Sequence, residues 1–337
     1  MRYYSGFEES FYYAYVHGKA GFDHGSPVTT EKLTDCVIKL SDIEATDLAG
    51  AGISPVPTSG PGCLTPNTRV KPTYHILVGE NVNRYKQEGI VRHGWSGRIS
   101  PGSLHLIGSG IYMSTPEFTF LQLATVLPLK LMALAGCALC ASYYLDPKTE
   151  EIKKRDPITT VERIAEFLDG AKGVRGVNTA KNALKLVANG AESPQEVNLY
   201  LMMALPPSLG GRGIEGLKLN YLVNPKAEDA GVLDRSDRKF FRIDMGNPDL
   251  QKGAEYLGKD HEKTVDEDRE RQNALLALGH TVLQAKYADL TDVVKSERLA
   301  NQLTRILGVE QKELTPSEEQ ARKDLRDELF GVKRVQL

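Results

Sequence analysis

The stretch from Phe240 to Tyr287 constrains the fold more than any other, because its hydrophobic period changes twice in one short passage. Phe240 to Met245 alternates, with Phe241, Ile243 and Met245 on one face and Arg242 and Asp244 on the other. That is the period-two pattern of a half-buried strand. Gly246-Asn247-Pro248-Asp249 is a turn cluster, and a second short strand ends at Ala254-Glu255-Tyr256-Leu257-Gly258. From about Thr264 the period becomes helical. Asp266, Glu267 and Asp268 fall in the first turns, where the helix dipole favours negative charge; Ala274, Leu275 and Leu278 give an apolar face, and Gly279 suits the C-terminal cap. Thr281 to Ala285 reads as a third strand.

Two neighbouring strands in this scheme each carry one acid inside an apolar pattern, Asp244 and Glu255, and His261 follows the second acid closely. Half-buried carboxylates on adjacent strands repel each other unless a cation lies between them. Oxygen donors of this kind suit magnesium or manganese, which can activate water and stabilise charge on a phosphodiester. The alternative is structural: Asp244 ends a strand at the solvent edge and Glu255 pairs with a lysine. The spacing alone leaves both open.

These residues resemble the Vsr-like branch of the PD-(D/E)XK, or restriction-endonuclease-like, superfamily over Phe241 to Asp289. The match consists of the strand aspartate Asp244, then Glu255-Tyr256-x-Gly258-x-x-His261, then a helix with Asp268, Arg271 and Asn273-Ala274-Leu275, and Gly279 leading into Val282 and Leu283. The resemblance implies an α/β fold with an αβββαβ core and a metal-dependent endonuclease. Asp244 and Glu255 would hold Mg2+ or Mn2+, with His261 as acid/base or phosphate donor and Lys259 and Arg271 on the nucleic acid. One position departs. The superfamily has a lysine two residues after the glutamate, and this branch often an aspartate, where this chain has Leu257. Lys252, Lys259 or His261 are the available substitutes.

Upstream, Ser193-Pro194-Gln195-Glu196 opens a helix. The resemblance assigns Glu196 to the catalytic group, and a Ser-x-x-Glu capping box accounts for it equally well. Pro206-Pro207 stops that helix and Leu217 to Val223 is the next strand, so the order from Ser193 reads α-β-β-β-α-β. Amphipathic helices follow over Leu290–Leu307 and Ser317–Leu329.

The 337 residues point to two or three domains, with boundaries expected at 1–73, 74–190, 191–310 and 311–337. The first segment is rich in aromatics from Tyr3 to Tyr15, read as a core face in preference to a base-stacking surface. Leu48 to Thr73, dense in Gly, Pro, Ser and Thr, reads as a long loop or linker. His17 and His24 are isolated and form no metal-ligand pattern.

Strands are expected at Tyr74–Val78, Gly89–Trp95, Leu104–Ile107 and Ile111–Met113, then a helix capped at Ser114-Thr115-Pro116-Glu117. The residues His75-Ile76-Leu77-Val78, Val91-Arg92-His93 and Ser114 to Thr119 with Leu123-Ala124 resemble bacterial abortive-infection antitoxin-like regulators. That implies an α+β segment beside the nuclease-type one, and a DNA-binding regulator as the alternative function. The winged helix of such regulators is not visible in residues 1–73.

Leu127 to Leu145 reads as a buried helix, with Pro128 and Lys130 keeping it short of a membrane span. On that helix Cys137 and Cys140 share a buried face and are assigned to packing. Pro147 to Pro157 reads as a charged linker, and helices are expected at Thr160–Leu168 and Thr179–Asn189. A net charge of −2 excludes a globally basic nucleic-acid binder, so a nucleic-acid partner, DNA foremost, would need a local patch. Four cysteines do not make a disulfide scaffold in a chain this long, and no signal peptide is visible, so a reducing cytoplasm is expected.

Overall fold

The computed structural model describes residues 2–23, 26–28, 33, 42–43, 46–57, 64, 71–79, 86–146, 148–226, 229, 240–258, 265–310 and 313–330. The protein is mixed α/β, with eleven α-helices and three sheets among these residues. It divides into two compact units, one running to Asn189 and the other from Gly190 to Arg334. None of the described helices is long and apolar enough to cross a membrane.

The first unit is built on a six-stranded sheet. Its strands are β1 (Tyr3–Ser5), β2 (Ser26–Val28), β3 (Tyr74–Gly79), β4 (Ile90–Trp95), β5 (Leu104–Gly108) and β6 (Ile111–Ser114). They lie in the order β2-β5-β6-β1-β3-β4. The short β1 sits inside the sheet, parallel to β6 and antiparallel to β3, while β3 and β4 run parallel. The N-terminal residues and residues 74–114 therefore share one sheet. Around it lie α1 (Phe7–His17), α2 (Ala20–Asp23), α3 (Pro116–Leu123), α4 (Leu129–Leu139), α5 (Val161–Gly170) and α6 (Val177–Leu184). The N-terminal aromatics are core: Tyr3, Tyr4, Phe7, Phe11 and Tyr15 are all buried. Every residue of α3 is buried, and its polar members are hydrogen-bonded: Glu117 accepts from Thr159 Oγ1 and Gln122 donates to Ser114 Oγ.

Several expectations need correction here. Thr115 is the N-cap of α3 but makes no side-chain capping bond, and its hydroxyl is buried without a hydrogen-bond partner. The segment read as a charged linker holds β8 (Ile152–Lys154), which pairs with β7 (Tyr143–Leu145) in a separate hairpin. Its turn is built by Asp146, whose carboxylate accepts from the Lys148 and Thr149 amides and pairs with Lys153 at 2.7 Å. The described part of the Gly/Pro-rich stretch is packed down, with Leu48, Ile53, Val56 and Leu64 buried and Val56 bridged to Thr73. The helix expected to reach Asn189 ends at Leu184. Cys137 lies in α4 and Cys140 is its C-cap; both thiols are free and buried, and burial pushes Cys137 up to about 12.

The second unit runs α7 (Pro194–Ala204), a 3-10 turn (Pro207–Leu209), β9 (Lys218–Val223), β10 (Phe241–Asn247), β11 (Lys252–Leu257), α8 (Val265–Ala277), β12 (Thr281–Lys286), α9 (Tyr287–Thr291), α10 (Val293–Ile306) and α11 (Pro316–Phe330). Its sheet has the order β12-β11-β10-β9, with β10 antiparallel to both neighbours and β11 parallel to β12. Tyr221, Val223, Phe241 and Ile243 pack against Leu275 of α8, with Ala274 and Leu278 beside it. Gly279 follows α8 with φ 84°, a left-handed conformation that glycine adopts without strain. The helix expected over Leu290–Leu307 is interrupted at Asp292, whose carboxylate accepts from the Lys295 amide and caps α10.

Candidate active site

The expected acids lie at a fork between two strands. The β10–β11 ladder pairs Asn247 with Lys252, Gly246 with Gly253 and Met245 with Ala254, and stops there, although β10 starts at Phe241 and β11 reaches Leu257. One further step would set Asp244 opposite Glu255. Instead, the Asp244 carboxylate takes over the strand-to-strand bond: its Oδ2 accepts from the Tyr256 amide at 2.7 Å. β11 stays paired to β12 through this region, Glu255 opposite Gln284 and Leu257 opposite Lys286. The two strands therefore part at the acids, and the gap is closed by side chains.

Arg271 of α8 closes it a second time. Its guanidinium donates to both Glu255 carboxylate oxygens and to the Arg242 carbonyl of β10, and it lies 5.8 Å from the centroid of the Phe241 ring. Glu255 itself is buried. A buried carboxylate without a cation would be costly, so the planar fork of arginine is the fitting partner. The field of Glu255 reaches further. The buried Tyr221 hydroxyl is pushed up to about 12 by desolvation first and by the Glu255 charge second.

Glu196 is buried and wholly engaged in structure. It accepts from Ser193 Oγ at 2.8 Å, from the Glu192 amide at 2.8 Å and from Asn220 Nδ2, while Ser193 Oγ accepts from the Glu196 amide. Ser193 thus caps α7, and Glu196 reaches back one residue beyond the cap, to the Glu192 amide, in a variant of the capping box that Asn220 ties to the sheet. Asn220 lies between Tyr221 and Leu219, which pair with Ile243 and Met245 on either side of Asp244, and it has φ 47°, unusual inside a strand. It also donates to the Gly190 carbonyl at 2.9 Å. Glu196 thus serves the start of α7 and ties it to β9. Arg271, expected on nucleic acid, is held on Glu255. Lys259 and His261 lie outside the described residues.

A second constellation was missed by the sequence. Glu8 of α1, His75 of β3 and His93 of β4 bring one ligand atom each within 4.8 Å of one another. The signal was present but scattered. The two histidines lie on strands that turn out to be parallel neighbours, with Leu77 paired to His93, so alternation places His75, Leu77 and His93 on one face. Nothing local in the sequence ties Glu8 to that face.

Comparison with known protein families, characterised proteins and solved structures finds no match to this chain.

Proposed function

We propose that the second unit is a metal-dependent nuclease-type domain that hydrolyses phosphodiester bonds in nucleic acid, DNA foremost, with its centre at the Asp244–Glu255 fork. The observation that carries the reading is the parting of β10 and β11 at the two acids. Continued pairing would spend the backbone groups on each other, whereas the parting leaves the two acids as the groups that join the strands, Asp244 directly and Glu255 through Arg271. The element order α7-β9-β10-β11-α8-β12 supports assigning the domain the nuclease-like core that the motif resemblance implies. The donor set fits the expected ion: two carboxylates are hard oxygen ligands of the kind magnesium and manganese take.

In this reading Asp244 and Glu255 hold the metal. Bound there, the ion would polarise a phosphoryl oxygen and lower the pKa of a water. Asp244 is oriented by the Tyr256 amide, which fixes its carboxylate relative to β11. Arg271 neutralises Glu255 before substrate arrives, and its five donors then suit a phosphate oxygen. Leu257, half-buried on β11, provides no charge where the superfamily uses lysine or aspartate.

The second reading is a DNA-binding regulator whose nuclease-type core no longer cuts. It is favoured by Leu257 and by Arg271 occupying both oxygens of Glu255. A cleavage assay with Mg2+ on plasmid and single-stranded substrates separates the two. Cleavage that disappears in Asp244→Asn is expected of the nuclease. Salt-dependent DNA binding without cleavage, unchanged by Leu257→Lys, would replace it with the regulator. Absence of both would remove nucleic acid from the account.

A further inference from the structure

We propose that Glu8, His75 and His93 form a zinc-class divalent metal site in the first unit, independent of the acidic fork. The geometry is close to that of a bound ion. Glu8 Oε2 is 2.9 Å from His75 Nδ1, and His75 Nδ1 is 3.1 Å from His93 Nε2. Tetrahedral zinc with bonds of 2.0–2.1 Å sets its ligand atoms about 3.3 Å apart, so a small outward adjustment admits the ion.

The present contacts do not use these atoms well. Glu8 Oε2 is buried and, despite its closeness to His75, accepts no hydrogen bond of good direction from any described residue. A single proton on His75 Nδ1 cannot serve both the carboxylate and the His93 nitrogen with good geometry. A cation at the centre would satisfy all three lone pairs together. Two imidazoles and one carboxylate are a donor set that selects zinc over magnesium or calcium, and three protein ligands leave a position for water or a small ligand.

The surroundings hold these rings in place. His75 Nε2 shares a 3.1 Å hydrogen bond with Thr73 Oγ1, which turns Nδ1 toward the site. Phe7 stacks on the His93 ring at 3.8 Å between centroids. To do so Phe7 adopts φ 54°, rare for a bulky residue, and its amide is held by Gln122 Oε1 at 2.9 Å. Strain of this kind persists only where the surroundings enforce it, and here it fixes the residue next to Glu8. Gly6 completes the approach, because a Cβ there would lie 1.8 Å from Leu77 Cδ1.

The test uses the full chain, stripped with a chelator and titrated with zinc against a chromophoric competitor, with circular dichroism as the fold control. One equivalent of zinc is expected, with affinity reduced at least tenfold in Glu8→Gln and in His93→Gln and unchanged in His17→Gln. Thr73→Val is expected to weaken binding by roughly tenfold through loss of ring orientation. No uptake by the folded wild type overturns the site, as does wild-type affinity in either ligand variant. Should those variants fail to fold, cobalt(II) on the wild type decides. Intense visible bands of a tetrahedral ion support the site, and weak octahedral-type absorption overturns it. Nuclease activity enters none of these readouts.

Discussion

Glu255 in the second unit and Glu8 in the first are both buried glutamates beside other polar groups, yet they are neutralised in different ways. Glu255 has a permanent cation on both oxygens, the Arg271 guanidinium. Glu8 has two imidazoles. Desolvation opposes its ionised form, but the His75 side chain outweighs it and holds the carboxyl below its ordinary value. His93, pushed down to about 3 mainly by burial, is neutral and offers a lone pair instead of charge. One site is thus charge-satisfied and poor in open donors, the other rich in donors and poor in charge. An ion entering the fork competes with arginine, whereas an ion entering the Glu8 cluster competes with the Glu8–His75 contact at 2.9 Å.

That contrast ranks the effects of mutation. The largest is expected for Arg271→Met, which leaves Glu255 buried and unpaired; removing one partner of such a pair costs about 3 kcal/mol. Urea unfolding monitored on the second unit measures it. Added Mg2+ should recover part of the loss if the fork accepts a cation, and a loss indifferent to Mg2+ would make the pair purely structural. Gly6→Ala comes next, at about 1–3 kcal/mol for forcing a methyl into Leu77. Thermal unfolding should show it, together with weaker zinc binding in the first unit. Ser193→Ala should cost about 1 kcal/mol through loss of the α7 cap. Cleavage, if present, should survive it; abolition at unchanged fold would return Glu196 to the catalytic group.

The smallest effect sharpens the comparison by supplying a half-buried pair at the surface. Asp146 is held down to about 2, first by Lys153 and then by the Lys148 amide. A depressed carboxyl stabilises the fold above its unfolded value near 3.8, and that contribution fades as pH falls through about 2. Asp146→Asn should therefore lower stability at neutral pH by only a small amount and flatten its acid dependence between about 2 and 3.8 by that same amount. A large neutral-pH loss would mean that the β7–β8 turn carries more than a solvent-screened ion pair.

The second unit was the more legible in sequence because its elements announce themselves locally. Phe241, Ile243 and Met245 alternate, Leu275 and Leu278 keep helical spacing, and Gly279 marks the stop, so each boundary rests on neighbours in the chain. The fork was not legible, since it depends on where β10 and β11 stop pairing, and on Arg271 reaching back from α8. The surroundings of Glu196 were half legible: Ser193 gave the N-cap, but the Asn220 contact comes from a distant strand. In the first unit, β8 escaped notice because Ile152 is exposed and its neighbours are charged, leaving no apolar alternation. The Glu8 cluster escaped because parallel register between β3 and β4 is a tertiary fact.

Asn220 carries one further consequence. Among the described residues β9 ends the hydrogen-bonded order of its sheet, and an edge strand exposes a template on which another chain can add. KLNYLV is apolar enough to be at risk, with Leu222 half exposed. A left-handed residue in its middle turns the peptide groups out of the regular repeat, and Glu196 and the Gly190 carbonyl hold it there. The same contact that anchors α7 to the sheet thereby also holds an irregularity in the edge strand, the kind of feature that blunts an edge against further pairing.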